Sequence, residues 1–272
     1  MLLCQQFDRK SLVPTSSLGE RGSAAPPPAI LRAGTILSIV AAANGTPIKA
    51  TALAKALGIP RSSAVNICSA LLEIGLLSQG DHGYALGHRL GELGQAYFEA
   101  FSPVKAFTDY CQGLRPPLTM TVQLGTLDDL DVVYLAKHEG DQPLSIASRV
   151  GGRLPANCTA LGKAMLSSLK ESQLDGVLES WSDPLPALTA KSHSTVGELR
   201  LAIEESKVRG YAVDDEETTP GIVCLAVPLT SSNDASRPYA VSGSLLKSAA
   251  TEANIARAVG QLVALAKASS GR

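Results

Sequence analysis

The sequence predicts an α+β fold that is divided into two domains. A length of 272 residues suggests about two domains, at roughly 150 residues each. Hydrophobic residues make up 45% and charged residues 18% of the chain, which supplies enough apolar side chains for packed cores. After Pro103, helical and strand patterns alternate without a strict strand–helix–strand repeat, and this favours α+β over a doubly wound α/β fold.

Composition and charge exclude several classes of protein. The 24 Lys and Arg residues are balanced by 25 Asp and Glu residues, so a polybasic protein with a uniformly cationic surface is excluded. No run of about 18 apolar residues occurs, and we therefore expect no membrane-spanning helix. Charged residues at Asp8–Lys10 follow the first apolar stretch, an order that is wrong for a secretory signal.

Cysteine usage points to a reducing compartment. The five cysteines are scattered, odd in number and without a CxxC pair, so neither a disulfide framework nor a zinc site is predicted. We therefore expect a cytoplasmic protein without a metal or another cofactor.

The chain before Pro103 is predicted to contain a tail, a small domain and a linker helix. Residues 1–28 are rich in Ser, Gly and Pro and are predicted to be a disordered tail. Residues 29–87 are predicted to form the small domain, with helices at Ile30–Ala43, Thr51–Leu57 and Pro60–Ile74, and strands at Leu76–Gln79 and Tyr84–Leu86. A helix over Gly87–Phe101 is the predicted linker, residues 88–102.

Residues 103–272 are predicted to form a larger domain of mixed helices and strands. Helices are predicted at Val104–Leu114, Ala160–Leu169, Glu171–Ser180, Val196–Arg209 and Thr251–Ala268. Strands are predicted at Leu118–Leu124, Asp131–Ala136, Leu144–Val150, Tyr211–Asp214, Val223–Leu229 and Tyr239–Leu245, with Thr126–Leu130 as the turn between the first two.

The segment Ala50–Leu71 fits a helix-turn-helix. Ala54 is small where two helices cross, and Gly58 supplies a turn conformation that other residues resist. Helical spacing turns Ala64, Ile67, Cys68, Leu71 and Leu72 inward. A recognition helix presents its start to the major groove. Near the start of this helix, the residues that face outward are Arg61, Ser62, Ser63, Val65, Asn66 and Ser69.

These outward residue types suit DNA. Ser62 and Ser63 can donate to phosphates or base edges, Asn66 can pair bidentately with adenine, and Arg61 can contact phosphate or guanine. His82, in the turn Gly80–Gly83 between the two short strands, is the predicted wing contact. The alternative function for this helix-turn-helix pattern is a plain protein-interaction module. For His82, the alternative is a solvated turn residue.

The net charge of the small domain is low. Residues 30–100 hold five Lys or Arg against four Asp or Glu. Because phosphate neutralisation supplies most non-specific affinity, a single copy is expected to bind DNA weakly. Two or more copies that bind together would overcome this.

Two stretches stand out in the larger domain. Gly151–Ala164 is a loop that runs into a helix start rich in small residues and Thr, where backbone N–H groups favour an anion. Arg209–Cys224 holds four consecutive acidic residues at Asp214–Glu217 ahead of an apolar strand. From the residues alone, this acidic run is also consistent with a solvated turn.

Together with the helix-turn-helix, these stretches resemble the IclR family of bacterial transcriptional regulators, and the resemblance extends from Ile30 to about Leu246. It implies a winged helix-turn-helix joined by a helix to a GAF-like, mixed α/β effector-binding domain. It also implies a homo-oligomer, a dimer or a dimer of dimers, that binds promoter double-stranded DNA and controls a catabolic operon for a small organic or aromatic acid. The residues that it implies for the ligand pocket are Leu154, Ala160, Leu161, Asp214, Glu216, Cys224, Ser242 and Ser244.

The chain departs from the family pattern at three positions. Asn66 stands where the family's recognition helix usually carries Arg, and Val65 where His or Tyr is frequent, so base preference is expected to differ. Met120 replaces the Glu of the usual Gly-Glu-Thr before the first strand of the larger domain. This replacement predicts a changed pocket wall and a more apolar effector.

Two alternatives to a DNA-binding regulator remain. An enzyme would use Cys158 or Cys224 as nucleophile with His138 or His193 as base. However, the sequence has no nucleophile elbow, phosphate loop or metal-spaced His pair, and no catalytic residue is predicted. The second alternative is a ligand sensor that has lost DNA binding and acts through protein contacts. The groove-compatible Ser62, Ser63 and Asn66 favour retained DNA binding over this alternative.

Overall fold

A computed structural model describes residues 27–100, 102–116, 118–141, 148–229 and 237–270. These residues form two compact units, with the boundary after Phe98. Residues 1–26 of the predicted tail lie outside the described residues. Across the described ranges, no helix has both the length and the apolar character needed to cross a bilayer.

The N-terminal unit contains three helices, a hairpin and most of a fourth helix. Helices α1 to α4 span Pro28–Ala42, Ala50–Leu57, Arg61–Glu73 and Arg89–Ala100, and strands β1 and β2 span Leu77–Gly80 and Gly83–Leu86. α2 ends at Gly58, whose φ of +67° lies in the left-handed region that favours glycine. Pro60 precedes α3 as its cap instead of occupying its first turn. The predicted helices and hairpin are confirmed, with their described ends shifted by at most two residues.

A small apolar core joins these elements. Its buried members are Ile36, Val40, Leu53, Cys68, Leu71, Leu77 and Tyr84. The backbone of Tyr84 exchanges two hydrogen bonds of 2.9 Å with Ile48, and these bonds tie the hairpin to the segment before α2. Gly83 approaches Ile48 so closely that a Cβ at Gly83 would lie 2.5 Å from the Ile48 carbonyl oxygen. The hairpin is therefore held against the helices.

The C-terminal unit is built on one antiparallel sheet. Its helices are α5 Ser102–Gly113, α6 Ala160–Ser167, α7 Glu171–Glu179, α8 Val196–Arg209 and α9 Glu252–Ser269. Its strands are β3 Thr121–Asp128, β4 Asp131–His138, β5 Arg153–Pro155, β6 Ala212–Asp215, β7 Ile222–Pro228 and β8 Tyr239–Leu246. The strand order is β5-β4-β3-β8-β7-β6, and every neighbouring pair is antiparallel. The predicted α+β class is confirmed.

Helices cover both faces of this sheet. On one face, α6, α7 and α8 bury an apolar cluster that includes Leu161, Met165, Leu174 and Ile203. On the other face Gly243 of β8 lies beside Leu262 of α9. Since neighbouring residues of a strand point to opposite faces, Ser242 and Ser244 point to the face that α6 covers.

Two strand predictions require correction. β3 spans Thr121–Asp128 and not the predicted Leu118–Leu124, so Thr126, Leu127 and Asp128 belong to the strand. The turn to β4 is confined to Asp129 and Leu130 instead of the predicted Thr126–Leu130. For the predicted strand Leu144–Val150, residues 144–147 lie outside the described residues, and 148–150 are not a strand. The edge strand is instead Arg153–Pro155, which pairs with β4. Its Arg153 guanidinium bridges Asp128 and Asp131, at 2.8 and 3.1 Å.

Candidate functional site

The first candidate site is the exposed side of α3. Its inward side chains Ala64, Cys68 and Leu71 are buried, as the helical spacing predicted. On the outer side Arg61, Ser62, Asn66 and Ser69 are exposed, whereas Ser63 and Val65 are half-buried. No hydrogen bond within the described part of the chain occupies the side chains of Arg61, Ser62 or Asn66. The start of α3 therefore offers polar donors and acceptors to solvent.

The hairpin tip presents a second exposed feature of this unit. Gly80 pairs with Gly83, so Asp81 and His82 form a two-residue turn between β1 and β2. His82 is exposed, which places it on the surface of the hairpin where sequence analysis expected the wing.

The second candidate site is a cavity in the C-terminal unit between the sheet and the start of α6. The sheet side comes from one face, because Gln123 is paired with Ser242, and Cys224 with both Ser244 and Asp214. The full lining is Gln123, Tyr134, Ser148, Leu154, Thr159, Ala160, Leu161, Asp214, Thr218, Thr219, Ile222, Cys224, Ser242 and Ser244. Polar side chains from five strands thus converge on one end of a helix.

The cavity is narrow. Space between its atoms, including the mouth, amounts to about 380 Å³, but only about 20 Å³ is wide enough for a water molecule. One water needs about 10–15 Å³ by this measure. A small organic molecule therefore enters only when lining side chains move apart.

Seven of the eight side chains expected in a ligand pocket line this cavity, namely Leu154, Ala160, Leu161, Asp214, Cys224, Ser242 and Ser244. Glu216 does not. β6 ends at Asp215, and Glu216 adopts a left-handed conformation with φ +65°, so its side chain leaves the sheet face that carries Asp214. Glu216 forms an ion pair with Lys191 and accepts a hydrogen bond of 2.8 Å from the Gly221 N–H.

Sequence analysis missed half of the lining. The missed residues are Gln123, Tyr134, Ser148, Thr159, Thr218, Thr219 and Ile222. Gln123 carried a usable signal, since the polar Thr121 and Gln123 alternate with Val122 and Leu124 along β3 and so mark a polar face. The side chain of Gln123 donates to the Ser148 hydroxyl. Ser148 carries no comparable local signal, because it comes from irregular chain.

Asp214 is a buried carboxylate at one side of the cavity, with 1% of its surface exposed. Its Oδ1 accepts from the backbone N–H of Glu217 at 2.7 Å and of Thr218 at 3.2 Å, and its Oδ2 accepts from the Thr218 hydroxyl at 2.6 Å. Burial raises the pKa of Asp214 to about 6, against the lowering effect of the Thr218 bond. Asp214 therefore holds the turn that carries Thr218 and Thr219 into the cavity.

The two cysteines considered as nucleophiles are held as thiols. Burial raises the pKa of Cys224 to about 12, and its Sγ lies 3.4 Å from the Ser244 Oγ. Burial also raises the pKa of Cys158, whose thiol donates to the Pro186 carbonyl at 3.2 Å. Because the thiolate is the nucleophilic form, neither side chain is activated for covalent chemistry.

Met120 does not form a wall of the cavity, contrary to the expectation from the sequence. A Cβ at Gly243 would lie 2.5 Å from the Met120 Sδ and 3.5 Å from the Leu262 Cδ2. Met120 is thus buried on the α9 side of the sheet, in the space left by the missing side chain of Gly243. It packs the opposite face and gives no information about effector polarity.

Comparisons with protein families match nearly all of the described chain. Residues 29–81 match the IclR helix-turn-helix domain, and residues 97–271 match the domain described as bacterial transcriptional regulator IclR C-terminal. These domains belong to transcriptional regulators and not to enzymes.

Individual relatives and solved structures support the same family assignment. The HTH-type transcriptional regulator XynR of Escherichia coli is 30% identical over 188 residues, which cover 68% of this chain and 74% of XynR. The crystal structure of the Thermotoga maritima IclR has a TM-score of 0.68 at 27% identity and covers 89% of this chain and 96% of that one. An IclR homolog from Microbacterium hydrocarbonoxydans, complexed with 4-hydroxybenzoate, has the same fold, with a TM-score of 0.71 at 21% identity over 89% of this chain and 97% of that one. The chain therefore belongs to the IclR family of bacterial transcriptional regulators, with an N-terminal helix-turn-helix DNA-binding domain and a C-terminal effector-binding domain.

Proposed function

We propose that this regulator controls a catabolic operon in response to a small organic or aromatic acid. The observation that carries the proposal is the presence, in one chain, of an exposed polar helix start and a narrow cavity lined by polar side chains. One of its structural neighbours is complexed with 4-hydroxybenzoate, which makes an aromatic acid the first effector class to test. As a DNA-binding regulator, the protein would act in the cytoplasm.

DNA is read, in this proposal, by the start of α3. Asn66 pairs with an adenine edge, and Arg61 contacts phosphate or guanine. Ser62, Ser63 and Ser69 donate to the backbone or to base edges, Val65 makes apolar contact, and His82 at the hairpin tip lies along the DNA backbone. The exposure of Arg61, Ser62, Asn66 and Ser69 supports this assignment.

Binding requires more than one copy. The small net positive charge of residues 30–100 limits the phosphate neutralisation that one helix-turn-helix achieves. We propose a homo-oligomer, a dimer or a dimer of dimers, whose paired heads occupy successive major grooves of a promoter palindrome. In such a symmetric complex the spacing of the half-sites follows from the protein symmetry.

The effector occupies the cavity of the C-terminal unit. Among the described residues that line it, none is a Lys, Arg or His, so the carboxylate of the acid is bound by hydroxyls and backbone N–H groups. Ser242 and Ser244 supply hydroxyls, and Ala160 and Leu161 at the start of α6 supply N–H groups that have no partner within the helix. Leu154, Ala160 and Leu161 form the apolar wall, and Asp214 and Cys224 complete the polar side.

Effector binding alters operator affinity through the arrangement of the subunits. We assign residues 29–87 to the DNA-binding domain, residues 88–102 to a linker helix and residues 103–272 to effector binding and oligomerisation. The linker helix transmits the change, because it connects the two domains. The size of the change is limited by the ligand's difference in affinity for the two states.

A genomic pull-down tests the proposal. Purified protein at near-physiological salt is incubated with genome fragments, with and without 4-hydroxybenzoate and related small acids. An enriched palindrome whose occupancy changes with one acid is the expected result. Enrichment that no acid alters would contradict effector control, whereas acid binding without any enriched sequence would favour a sensor that has lost DNA binding.

A further inference from the structure

Lys163 and Glu217 form a buried ion pair beside the cavity. Their side chains are 1% and 7% exposed, and the Lys163 Nζ donates to the Glu217 Oε1. The two residues come from different elements, since Lys163 lies in α6 and Glu217 in the turn after β6. The pair therefore joins a helix to a turn that is distant in sequence.

Both partners adjoin residues that line the cavity. Leu161 lies two positions before Lys163 on α6, and Thr218 and Thr219 directly follow Glu217. The Glu217 N–H is also a donor to the Asp214 carboxylate at 2.7 Å. A shift of either partner would thus displace one wall of the cavity relative to the other.

Glu217 is anchored on a third side. Its backbone carbonyl accepts from the Ser192 hydroxyl at 2.7 Å and from the Thr189 hydroxyl at 3.3 Å. Its second carboxylate oxygen, Oε2, has no hydrogen-bond partner within the described residues and lies 3.4 Å from the His193 Nε2. Lys163 therefore provides a side-chain hydrogen bond to this carboxylate, at Oε1.

A buried ion pair is a poor way to gain stability. Removing two charges from water costs several kcal/mol per ion, and apolar residues of similar volume often give an equally stable core. What the pair provides here is a directional contact between α6 and the turn that follows β6. In some proteins such a buried polar contact specifies one arrangement where apolar packing allows several.

We propose that Lys163 and Glu217 are positioning residues of the effector site, which set the spacing between the start of α6 and the turn 216–219 that follows β6. This inference rests on the proposed function, because it takes the cavity as the effector site. Neither side chain lines the cavity, so the two act through Leu161, Thr218 and Thr219.

The deciding variant is Lys163→Met/Glu217→Gln, which removes both charges and leaves neither one buried and unpaired. The matched control is Arg200→Met/Glu171→Gln, which removes two members of an exposed ion-pair network between α8 and α7 that also includes Asp175 and Lys207. Hydrogen exchange of the acid-free proteins should be faster at residues 159–163 and 214–219 in the first variant, with α9 unchanged. The control should leave both segments unchanged.

Binding provides the second measurement. The affinity of the first variant for 4-hydroxybenzoate, or for whichever small acid binds the wild-type protein, should fall about tenfold, which corresponds to about 1.4 kcal/mol. Its operator affinity without acid and its free energy of unfolding should stay close to those of the wild type. If the pair were purely structural, its removal would instead lower the free energy of unfolding and leave the acid affinity of the folded fraction unchanged.

The outcomes separate this inference from the proposed function. A folded variant with unchanged exchange in both segments overturns the positioning role, whatever acid the protein binds. Global unfolding of the variant also overturns it, because the pair would then be a stability element. If the wild-type protein binds no acid, the proposed effector class is wrong, and the exchange of the acid-free proteins still decides the role of the pair.

Discussion

Gly162 and Ala156 lie so close together that a Cβ on Gly162 would be 2.1 Å from the Ala156 carbonyl oxygen. Ala156 belongs to a short 3-10 turn, Ala156–Cys158, directly before α6. Thr159 then caps α6 by accepting a hydrogen bond of 2.9 Å from the Gly162 N–H. The start of α6 is therefore packed backbone against backbone at the place where it meets the cavity.

Substitution of Gly162 by Ala should destabilise the C-terminal unit. The contact is with backbone and cannot be relieved by rotating a side chain, so we expect a loss of about 1–3 kcal/mol in the free energy of unfolding. The matched control is Gly176→Ala in α7, where a Cβ meets nothing within 4 Å, and a gain of about 0.5–1 kcal/mol is expected there. Urea unfolding of both variants measures the difference. A gain in stability for Gly162→Ala similar to that of Gly176→Ala would show that α6 can shift to admit the methyl group.

Asn66→Ala should weaken binding to the cognate operator by about 1–3 kcal/mol, with little change on random DNA. The reason is that a bidentate contact to a base edge contributes to discrimination and not to non-specific attraction. Fluorescence anisotropy with both DNA sequences measures the two affinities. Glu73→Gln, at the far end of the same helix, serves as control. An equal loss on both sequences would remove Asn66 from base recognition.

Arg61→Ala tests a phosphate contact. If Arg61 contacts a phosphate, the variant should lose affinity on cognate and random DNA alike. The slope of log affinity against log salt should also fall by about 1 for each bound copy. Arg200→Ala, which removes a cation from the C-terminal unit, should leave the slope unchanged. A loss confined to the cognate sequence would assign Arg61 to guanine instead.

Asp214 should make stability depend on pH in a defined direction. Its pKa is raised from 3.8 to about 6 in the folded protein, so between these values the folded state binds more protons than the unfolded state. The contribution of this group to the free energy of unfolding therefore falls by up to about 3 kcal/mol as pH rises from about 4 to 6. Above that window the contribution is constant. The difference between wild type and Asp214→Asn isolates this contribution. A difference that is constant from pH 4 to 7 would contradict the raised pKa.

Local signals predicted some elements to the residue. α8 was predicted at Val196–Arg209 and lies at those bounds. The Thr195 side chain and Glu198 cap its start reciprocally, and Gly210 ends it with φ +82°, so both ends are encoded within a few residues of the helix. Such signals are independent of the rest of the fold.

Other features depend on partners far along the chain. β5 is only three residues long, and it exists because Arg153–Pro155 pairs with β4, which no local pattern reveals. The placement of Met120 depends likewise on its contact with Gly243, and that of Glu216 on a left-handed turn and on Lys191. The cavity was predictable where a motif supplied its residues, and it was missed where Gln123, Tyr134 and Ser148 enter through strand register and irregular chain.

The narrowness of the cavity would govern how fast the proposed effector enters. With only about 20 Å³ wide enough for water, the acid of the proposed function would bind only those molecules whose lining has already opened, and the measured affinity would then be lower than the intrinsic one by the open fraction. At high acid concentration the observed association rate should then level off at the opening rate instead of rising without limit. The time that an operator takes to respond would be set by the protein and not by the supply of acid.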